Sequence, residues 1–467
     1  MAATSKYLQI AQKFVADIEN EHLPVNTKLP SLRSIMTLHN VSMTTALACY
    51  RHMEKIGYAL PENKKGFFVQ KPYSAKYTNI FPQFKSSITN VSARQLENIT
   101  DISIDSLATA KLDTRLIDNA IIARSIQAAT KKSNFALNYE NPQGNSQLRA
   151  QLSNHFNQQG FISHPDELVI TNGCLDAVVS ALEVVSKPGD VIIVSSPCYS
   201  GLLDILYLLE RSIIEVPSTE EGIDLEQLRH VAEHKKVAAC ILTANHQNPT
   251  GHSINNEQKK LIAQLAAKYE LPIIEDDVFR ELAHQKNIPL PIKYYDDAGW
   301  VLWCSSFSKT LAPGLRLGWC KPGRFLEKYI KLRKIKTFGI NYPIQAAMTD
   351  YLEKGHYSRH LKKTNKALSL HCRAYIEFLE RHLPKNSKIY FPKGGLTLWI
   401  CLPHVDTKKL SLSLTNKGIY TQHGSSFSTT NLYQDCLRLN IGLIPDDRLF
   451  SQLETISSTI NDIVLLP

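Results

Sequence analysis

A single lysine stands among hydroxyl side chains in the stretch Ser305-Ser306-Phe307-Ser308-Lys309-Thr310-Leu311-Ala312-Pro313-Gly314-Leu315-Arg316-Leu317-Gly318-Trp319. An apolar, strand-like run over 300–304 leads into this cluster of hydroxyl side chains, and a second apolar run follows its Pro-Gly turn. Lys309 could form a Schiff base with a carbonyl compound, while Ser306 and Arg316 could hold a dianion such as a phosphate. Taken alone, however, the Ser-Phe-Ser-Lys string favours a surface loop with a solvated lysine.

The composition is that of an ordinary globular protein. The chain has 467 residues, of which 43% are hydrophobic and 21% charged, enough for two or three domains. No apolar run approaches the ~20 residues that span a bilayer, and the N-terminus lacks a secretory signal pattern. We therefore expect a cytoplasmic protein without a membrane contact. The nine cysteines show no metal-type spacing, so we expect reduced thiols and no metal site.

Positive charge is densest near the N-terminus. The net charge is +10, and residues 1–72 hold nine Lys/Arg against five Asp/Glu. Apolar residues recur at helical spacing over 7–18, and Ser31 and Ser42 can cap a second and a third helix. Two short strands then flank the basic turn 61–66. This order of elements predicts a winged helix-turn-helix, whose third helix enters the major groove of DNA.

The same segment resembles the DNA-binding domain of GntR-type bacterial regulators. The family signature stands here as Leu29-Pro30-Ser31-Leu32-Arg33, Val41-Ser42 and Gly57-Tyr58. Met43 departs from it, since the family commonly has Arg there, and the wing has only one plain glycine. The resemblance implies that double-stranded operator DNA is contacted by Ser31, Arg33, Ser42, Met43, Thr44, Thr45, Arg51, Lys64 and Lys65. The alternative interpretation is a small helical packing domain with solvated charges.

Residues 73–100 are predicted to be a linker. They are rich in Ser, Asn, Thr and Lys, contain isolated aromatic residues and show no period of 2 or 3.6. We expect a tether with some docking contacts.

Residues 101–467 alternate strand-like and helical segments. Several of the apolar runs are unbroken, as is typical of strands buried on both faces. The alternation predicts a mainly parallel sheet with helices on both sides, and functional groups at the carboxyl ends of its strands. The runs are 167–171, 191–195, 213–216, 238–243, 272–275 and 301–304.

Polar motifs follow five of these runs, including the run that leads to Lys309, and the first three of the motifs are as follows. The backbone amides of Gly173, Cys174 and Leu175 open a helix and suit a phosphate, although a plain helix cap would also explain them. Tyr199 could stack on an aromatic ring, or it could be an ordinary core or surface tyrosine. In the turn Asn248-Pro249-Thr250-Gly251 the first residue can donate a hydrogen bond to a phenolate oxygen.

An acidic residue ends the next run. Asp276 could pair with a protonated pyridine nitrogen and so keep that ring an electron sink. Its neighbour Asp277 is interpreted as an accompanying polar residue. Lys309 follows Asp276 by about one strand-helix-strand unit, so both side chains are expected at the same edge of the sheet.

Taken together, these motifs resemble the cofactor site of fold-type I pyridoxal-phosphate (PLP) enzymes, the aspartate-aminotransferase superfamily. The resemblance implies that Lys309 binds PLP covalently, that Asn248 holds its 3′ oxygen, and that Asp276 pairs with its ring nitrogen. It also implies that the phosphate is bound by Ser306, Ser308 and Arg316 together with the amides that follow Thr171. Phe279 departs from the family pattern, which has a tyrosine there, and this bears on catalysis more than on binding.

Two further residues match the superfamily. Tyr139, in Tyr-Glu-Asn-Pro-Gln-Gly, corresponds to a tyrosine that reaches the cofactor phosphate of a neighbouring subunit. Arg438 corresponds to the arginine that grips a substrate α-carboxylate, with a structural salt bridge as the alternative. The last part of the chain, about 350–467, is similar to the superfamily's smaller α/β domain.

The arrangement of a winged helix over 1–72, a linker over 73–100 and an aminotransferase-like domain over 101–467 resembles the MocR subfamily of bacterial regulators. This implies a homodimeric regulator, arranged head-to-tail by analogy, whose PLP domain senses an amino acid, an amine or PLP itself. A working aminotransferase is the second hypothesis, and Phe279 weakly favours the regulator. A dimerisation scaffold without cofactor is the third, and Lys309, Asp276 and Asn248 argue against it.

Overall fold

The computed structural model describes residues 5–20, 22–62, 65–71, 81–89, 106–131, 139–285, 287–430 and 432–465. The chain forms two compact units, Met1–Lys76 and Tyr77–Pro467. Lys64, which was assigned to DNA contact, lies outside the described residues, as do 73–80 and 90–100 of the predicted linker.

The described part of the N-terminal unit consists of three helices and a two-stranded antiparallel hairpin. The Ser31 and Ser42 hydroxyls accept hydrogen bonds from backbone amides three residues later, at 3.1 and 3.2 Å, so both predicted caps form. A continuous apolar core that includes Ile35 and Met53 joins the helices to the hairpin. The elements are α1 (Lys6–Glu19), α2 (Leu32–His39), α3 (Met43–Lys55), β1 (Ala59–Glu62) and β2 (Gly66–Val69).

The larger unit is built around a sheet that has nine strands within the described residues. Its strands are β3 (Ile88–Thr89), β4 (Val169–Thr171), β5 (Val191–Ser196), β6 (Ser212–Thr219), β7 (Gly222–Ile223), β8 (Ala239–Leu242), β9 (Ile273–Asp276), β10 (Val301–Ser306) and β11 (Gly318–Lys321). The accompanying helices are α4 (Asn119–Thr130), α5 (Ser146–Gln158), α6 (Cys174–Val185), α7 (Ser200–Leu208), α8 (Leu225–His234), α9 (Asn256–Lys268), α10 (Phe307–Thr310), α11 (Leu326–Thr337), α12 (Tyr342–Glu353) and α13 (His356–His382).

The central strands of this sheet are parallel, as predicted. The strand order is β3-β6-β5-β8-β9-β10-β11-β4, with β7 paired to β6. The pairs from β6 to β10 are parallel, whereas β4 and β11 at one side and β3 at the other are antiparallel. Along β5, Ile192 and Val194 pack with α6 and α7, while Ile193 packs with α8 and α9. Helices therefore cover both faces, which explains the unbroken apolar runs.

Part of the predicted linker packs on the larger unit. Ile88 and Thr89 form β3, which pairs with β6, and the Ser86 amide donates to the Gln227 side chain at 3.0 Å. Phe81 is buried among aromatic and cysteine side chains. For residues 81–89 the docking contacts expected of this segment are extensive.

A second sheet follows in the C-terminal part of the chain. Its four described strands are antiparallel in the order β12-β13-β15-β14. Among the described helices, none is both long and apolar enough to cross a membrane. The elements are β12 (Lys388–Tyr390), β13 (Thr397–Cys401), α14 (Thr407–Thr415), β14 (Gln422–His423), β15 (Cys436–Asn440) and α15 (Asp447–Leu465).

Position 144 requires glycine for two reasons, its close packing and its left-handed backbone conformation. It has φ +93°, and an added Cβ would lie 2.5 Å from Cβ of Ile170. Gly160 has a similar φ of +80° but open space around it. We expect Gly160→Ala to lower the free energy of unfolding by about 1 kcal/mol, from the left-handed backbone alone.

Gly144→Ala adds a collision to the same backbone strain, and we expect it to cost about 1–3 kcal/mol more than Gly160→Ala. Urea unfolding of both variants measures the difference. Equal losses would contradict the packing argument.

Candidate functional site

The site lies at the carboxyl ends of β9 and β10. Cys304 of β10 is the register partner of Asp276 in β9, so the two strands end at the same edge of the sheet. The chain then turns into the four-residue helix α10, which carries Lys309. Lys309 is within electrostatic range of Asp276, Arg438 and Arg316. Thus the structure brings together the residues that the sequence placed at successive strand ends.

The Lys309 amine is hydrogen-bonded within the site, and the lysine side chain is half-buried. Its Nζ donates a hydrogen bond to the backbone carbonyl of Ala110 at 2.6 Å. Burial lowers the pKa of Lys309 to about 8, the Arg438 guanidinium contributes to this lowering, and the Asp276 carboxylate opposes both effects. A lysine with this pKa is partly uncharged near neutral pH, and the uncharged amine is the form that attacks a carbonyl carbon.

The predicted phosphate-binding residues converge beside this lysine. Gly173 has φ +97° and caps the N-terminus of α6, and a Cβ on it would lie 2.8 Å from an Arg316 nitrogen. Arg316 donates to the Asn172 carbonyl at 2.9 Å and to the Ser308 hydroxyl at 3.3 Å. Ser306 caps α10, its hydroxyl accepting from the Ser308 amide at 3.3 Å. Cys174 and Leu175 supply the next backbone amides of α6, as predicted.

Asp276 is a buried acid without a cationic neighbour in contact among the described residues. Its carboxylate accepts hydrogen bonds from the Cys174 thiol at 3.2 Å and from the Val278 amide at 3.4 Å. Burial raises the pKa of Asp276, while these two bonds and the Lys309 charge act in the opposite direction. A protonated ring nitrogen would supply the charge that this carboxylate lacks.

Arg438 and Asn248 form the other side of the site. One Arg438 terminal nitrogen donates to the Asn248 side-chain oxygen at 3.3 Å, while its Nε has no partner among the described residues. Arg438 is only 3% exposed, and burial lowers its pKa to about 10, with Tyr199 opposing. A buried guanidinium with an unsatisfied N–H fits a carboxylate ligand better than it fits a structural salt bridge.

These observations test whether the residues present fit PLP. Because Gly173 has no Cβ, the Arg316 guanidinium lies close to the N-terminus of α6, and a guanidinium beside helix N-terminal amides is a donor set that suits a phosphate. The lone carboxylate of Asp276 fits a pyridinium nitrogen, and Lys309 is an amine of suitable pKa. Tyr199 caps α7, and its ring lies within 2.7 Å of where a Cβ on Gly201 would be. The donor set fits the cofactor.

Tyr139 and Asp277 have different surroundings from the other residues singled out in the sequence. The Tyr139 side chain is 87% exposed and contacts Phe338, at 5.6 Å between ring centroids, so within one chain it lies on the surface rather than in the site. Asp277 is not merely a neighbour of Asp276. It is fully buried and accepts hydrogen bonds from Asn245 at 2.9 Å and from Trp303 at 2.7 Å, which fixes the turn after β9.

The sequence did not reveal the segment 106–113. Its Ala110 carbonyl binds Lys309, and Asn440 of β15 holds the segment on both sides of this residue. The Asn440 amide donates to the Leu107 carbonyl at 2.9 Å, and its side chain donates to the Lys111 carbonyl at 3.1 Å. A contact made by a backbone carbonyl cannot be predicted from the sequence, because every residue has a carbonyl. The one sequence feature connected with this segment is Asn440, two positions after Arg438.

The residues assigned to DNA contact lie mostly on the surface of the N-terminal unit. Met43 is 44% exposed at the first turn of α3. Thr45 is less open than predicted, because its hydroxyl lies 2.9 Å from that of Ser42 and the side chain is half-buried. The exposed members of the set are Ser31, Arg33, Ser42, Met43, Thr44, Arg51 and Lys65.

Comparison with known proteins matches both parts of the chain. The aminotransferase class I and II family model covers residues 107–449. The uncharacterized HTH-type transcriptional regulator YdcR of Escherichia coli (strain K12) is 33% identical over 443 residues, which are 93% of this chain and 94% of the regulator. The regulator YjiR of the same organism is 32% identical over 94% of this chain and 95% of its own.

Solved structures match the larger unit. A kynurenine aminotransferase of Pyrococcus horikoshii is 28% identical with a TM-score of 0.71, over 76% of this chain and 90% of the enzyme. The α-aminoadipate aminotransferase LysN of Thermus thermophilus is 22% identical with a TM-score of 0.73, over 81% of this chain and 97% of that one. The latter similarity supports the fold.

The environment of Lys309 predicts a pH dependence for PLP uptake. Because the uncharged amine reacts, the uptake rate of stripped protein should rise with pH and level off with a midpoint near the pKa of about 8. Stopped-flow absorbance at several pH values measures this midpoint.

Arg438→Gln removes a neighbouring positive charge and should move the midpoint upward. Arg229→Gln, an exposed residue of α8, makes the same change elsewhere and should leave the midpoint in place. A midpoint near the ordinary lysine value of 10.5 in the unchanged protein would contradict the assignment.

Proposed function

Because this chain belongs to the aminotransferase class I and II family as a MocR-type regulator, we propose that it regulates transcription by sensing a small ligand through PLP at Lys309. PLP is its cofactor. The observation that carries the proposal is the grouping of Lys309, Asp276, Arg316 and Arg438 in a chain that also has a basic unit of three helices and a hairpin.

Each part of the cofactor would be bound by different residues of the site. Lys309 would hold it covalently, Asp276 would pair with the ring nitrogen, and Asn248 would contact the 3′ oxygen. Tyr199 would stack on the ring. The phosphate would be bound by Ser306, Ser308, Arg316 and the amides of Gly173, Cys174 and Leu175. When bound, PLP would supply an aldehyde that condenses with amines and a ring that withdraws electrons.

The effector is proposed to be an amino acid, another amine, or PLP itself. Arg438 would grip an α-carboxylate through its Nε and a terminal nitrogen, in the two-pronged geometry that guanidinium allows. Asn248 already orients that guanidinium from the side. An amine without a carboxylate would leave the buried Arg438 unpaired, so amino acids fit this pocket better.

A route for the signal begins at segment 106–113. Its Ala110 carbonyl binds Lys309, and its Leu107 and Lys111 carbonyls bind Asn440 on the strand of Arg438. Lys309, which would hold the cofactor, and Asn440, which lies on the strand of the effector-binding Arg438, both contact this segment, so a change at either residue would act on it. This shifts conformations only if the ligand binds the two states with different affinity.

The N-terminal unit is proposed to read operator DNA as a winged helix-turn-helix. The first turn of α3 would contact base edges, and Arg33 with the hairpin lysines would contact phosphates. The exposure of Met43, Thr44 and Arg51 supports this assignment. The net positive charge of the segment adds attraction for any DNA sequence.

A working aminotransferase is the second candidate. The intact lysine and acid favour it, and the solved structures that the larger unit matches include aminotransferases. Phe279 disfavours it, since this side chain is fully buried against an apolar cluster and supplies no hydroxyl to the site. We therefore favour regulation over turnover.

We also propose a homodimer, arranged head-to-tail by analogy with the family. The exposed ring of Tyr139 would reach the cofactor phosphate of the neighbouring subunit.

A solution mass equal to one chain would count against the homodimer. Tyr139→Phe should weaken PLP retention and leave the dimer mass in solution unchanged.

Lys309→Ala tests the sensing proposal. We expect the variant to lose the visible absorption of lysine-bound PLP and the response of DNA binding to a panel of single amino acids and simple amines. Because Lys309 lies outside the unit proposed to bind DNA, the affinity for operator DNA without added effector should stay within about twofold of the unchanged protein if the effector is an amino acid or amine. A larger change in this variant would point to PLP itself as the effector.

The unchanged protein supplies the second arm of this experiment. Stoichiometric or catalytic formation of 2-oxo acid from the same panel, with no ligand effect on DNA binding, would establish the aminotransferase in place of the regulator. Protein that takes up no PLP would refute both and leave the scaffold hypothesis.

Arg33→Ala tests the DNA-binding unit. A phosphate contact predicts weaker binding to all DNA sequences and a slope of log affinity against log salt that is smaller by about 1. Arg229→Ala, which removes the same charge from an exposed position on a helix of the larger unit, is the control. Unchanged affinity in Arg33→Ala would remove this residue from the interface.

A further inference from the structure

Two cysteines face each other at one end of the small sheet. Cys401 ends β13, Cys436 begins β15, and the two are register partners with Sγ atoms 3.1 Å apart. The adjacent pair is joined by a hydrogen bond from the Leu402 amide to the Asp435 carbonyl at 2.7 Å. Cys401 and Cys436 are therefore a non-hydrogen-bonded pair, in which facing Cα atoms lie ~4.5 Å apart. That separation falls within the range that a disulfide spans.

We propose that Cys401 and Cys436 form a reversible disulfide when the protein meets a hydroperoxide. This modification site does not depend on the sensing function proposed above. The reaction needs little backbone movement, because the sulfur atoms only have to approach by about 1 Å to reach the bond length of ~2.04 Å. Disulfides of this kind in reducing compartments are typically transient and redox-sensing.

The chemistry proceeds in two balanced steps. The Cys401 sulfur attacks one oxygen of the hydroperoxide, becomes a sulfenic acid and releases water or an alcohol. The Cys436 sulfur then attacks the Cys401 sulfur, the S–S bond forms and a water molecule leaves. The peroxide is reduced and two thiols are oxidised. Cys401 reacts first because it is 8% exposed against 3% for Cys436.

A second cysteine pair in the same chain serves as a matched comparison. Cys304 and Cys320 are register partners on β10 and β11, with Sγ atoms 3.7 Å apart. They are also a non-hydrogen-bonded pair, since the Phe307 amide donates to the Leu317 carbonyl at 3.0 Å three positions further on. Both are completely buried in the core of the large sheet. Because this pair has similar geometry but no access for peroxide, we expect it to stay reduced.

Phe81 packs in the same apolar cluster as the cysteine pair. Its ring is buried together with Cys401, Cys436 and Trp399, and its centroid lies 6.4 Å from that of Tyr390. Phe81 precedes β3 in a segment of the larger unit. Undocking of Phe81 would open access to Cys401, and the disulfide would change the surface on which Phe81 rests.

The test uses the full chain with PLP bound, treated with a small excess of hydrogen peroxide. Thiols counted by maleimide labelling after denaturation should number two fewer than the nine cysteines, and dithiothreitol should restore them. Mass mapping without reductant should find one linked peptide pair, Cys401 with Cys436. A full thiol count, a Cys304–Cys320 link, or over-oxidised Cys401 with free Cys436 overturns the proposal.

Variants separate the steps. Cys436→Ser should leave a sulfenic acid on Cys401 that dimedone traps, whereas Cys320→Ser should lose two thiols like the unchanged protein. If Cys436→Ser does not fold, the mass mapping of the disulfide in the unchanged protein is sufficient to test the proposal. Phe81→Ala should form the link at least about threefold faster, and an unchanged rate overturns the role given to Phe81.

Discussion

The site depends on the register of two parallel strands. Pairing of β9 with β10 sets Cys304 beside Asp276, so the acid ends one strand where its neighbour turns into the helix of Lys309. A shift of one residue would turn Asp276 to the opposite face of the sheet. The backbone hydrogen bonds between the two strands thus fix the position of Asp276 relative to Lys309, although these two side chains are not hydrogen-bonded to each other.

Burial gives this arrangement its affinity for a charged cofactor. It raises the pKa of Asp276 and lowers that of Lys309, because both charged forms have lost water. Arg438 carries the same desolvation cost and keeps an unpartnered N–H among the described residues. A ligand that brings a ring cation, a phosphate and a carboxylate compensates these groups together. Because these charges are uncompensated within the site, we expect it to favour such ligands over neutral ones.

The sequence was most informative for site residues that come directly after a strand or at the start of a helix. Lys309, Asp276 and Asn248 could be located because each comes shortly after an apolar strand or at its end, and parallel strands end at one edge. The caps Ser31 and Ser42 were recognisable for a similar local reason. The Ala110 carbonyl could not be found this way, since any residue supplies one. The half-burial of Thr45 depends on a contact with the cap hydroxyl, which residue types alone do not specify.

The hold that Asn440 exerts on segment 106–113 has a consequence for the origin of the protein. A shortened chain that began after residue 113 would keep every recognisable cofactor residue but lack the carbonyl that positions the reactive amine. A gene fusion at the origin of such a chain would therefore have to keep the segment from residue 106 onward together with Lys309.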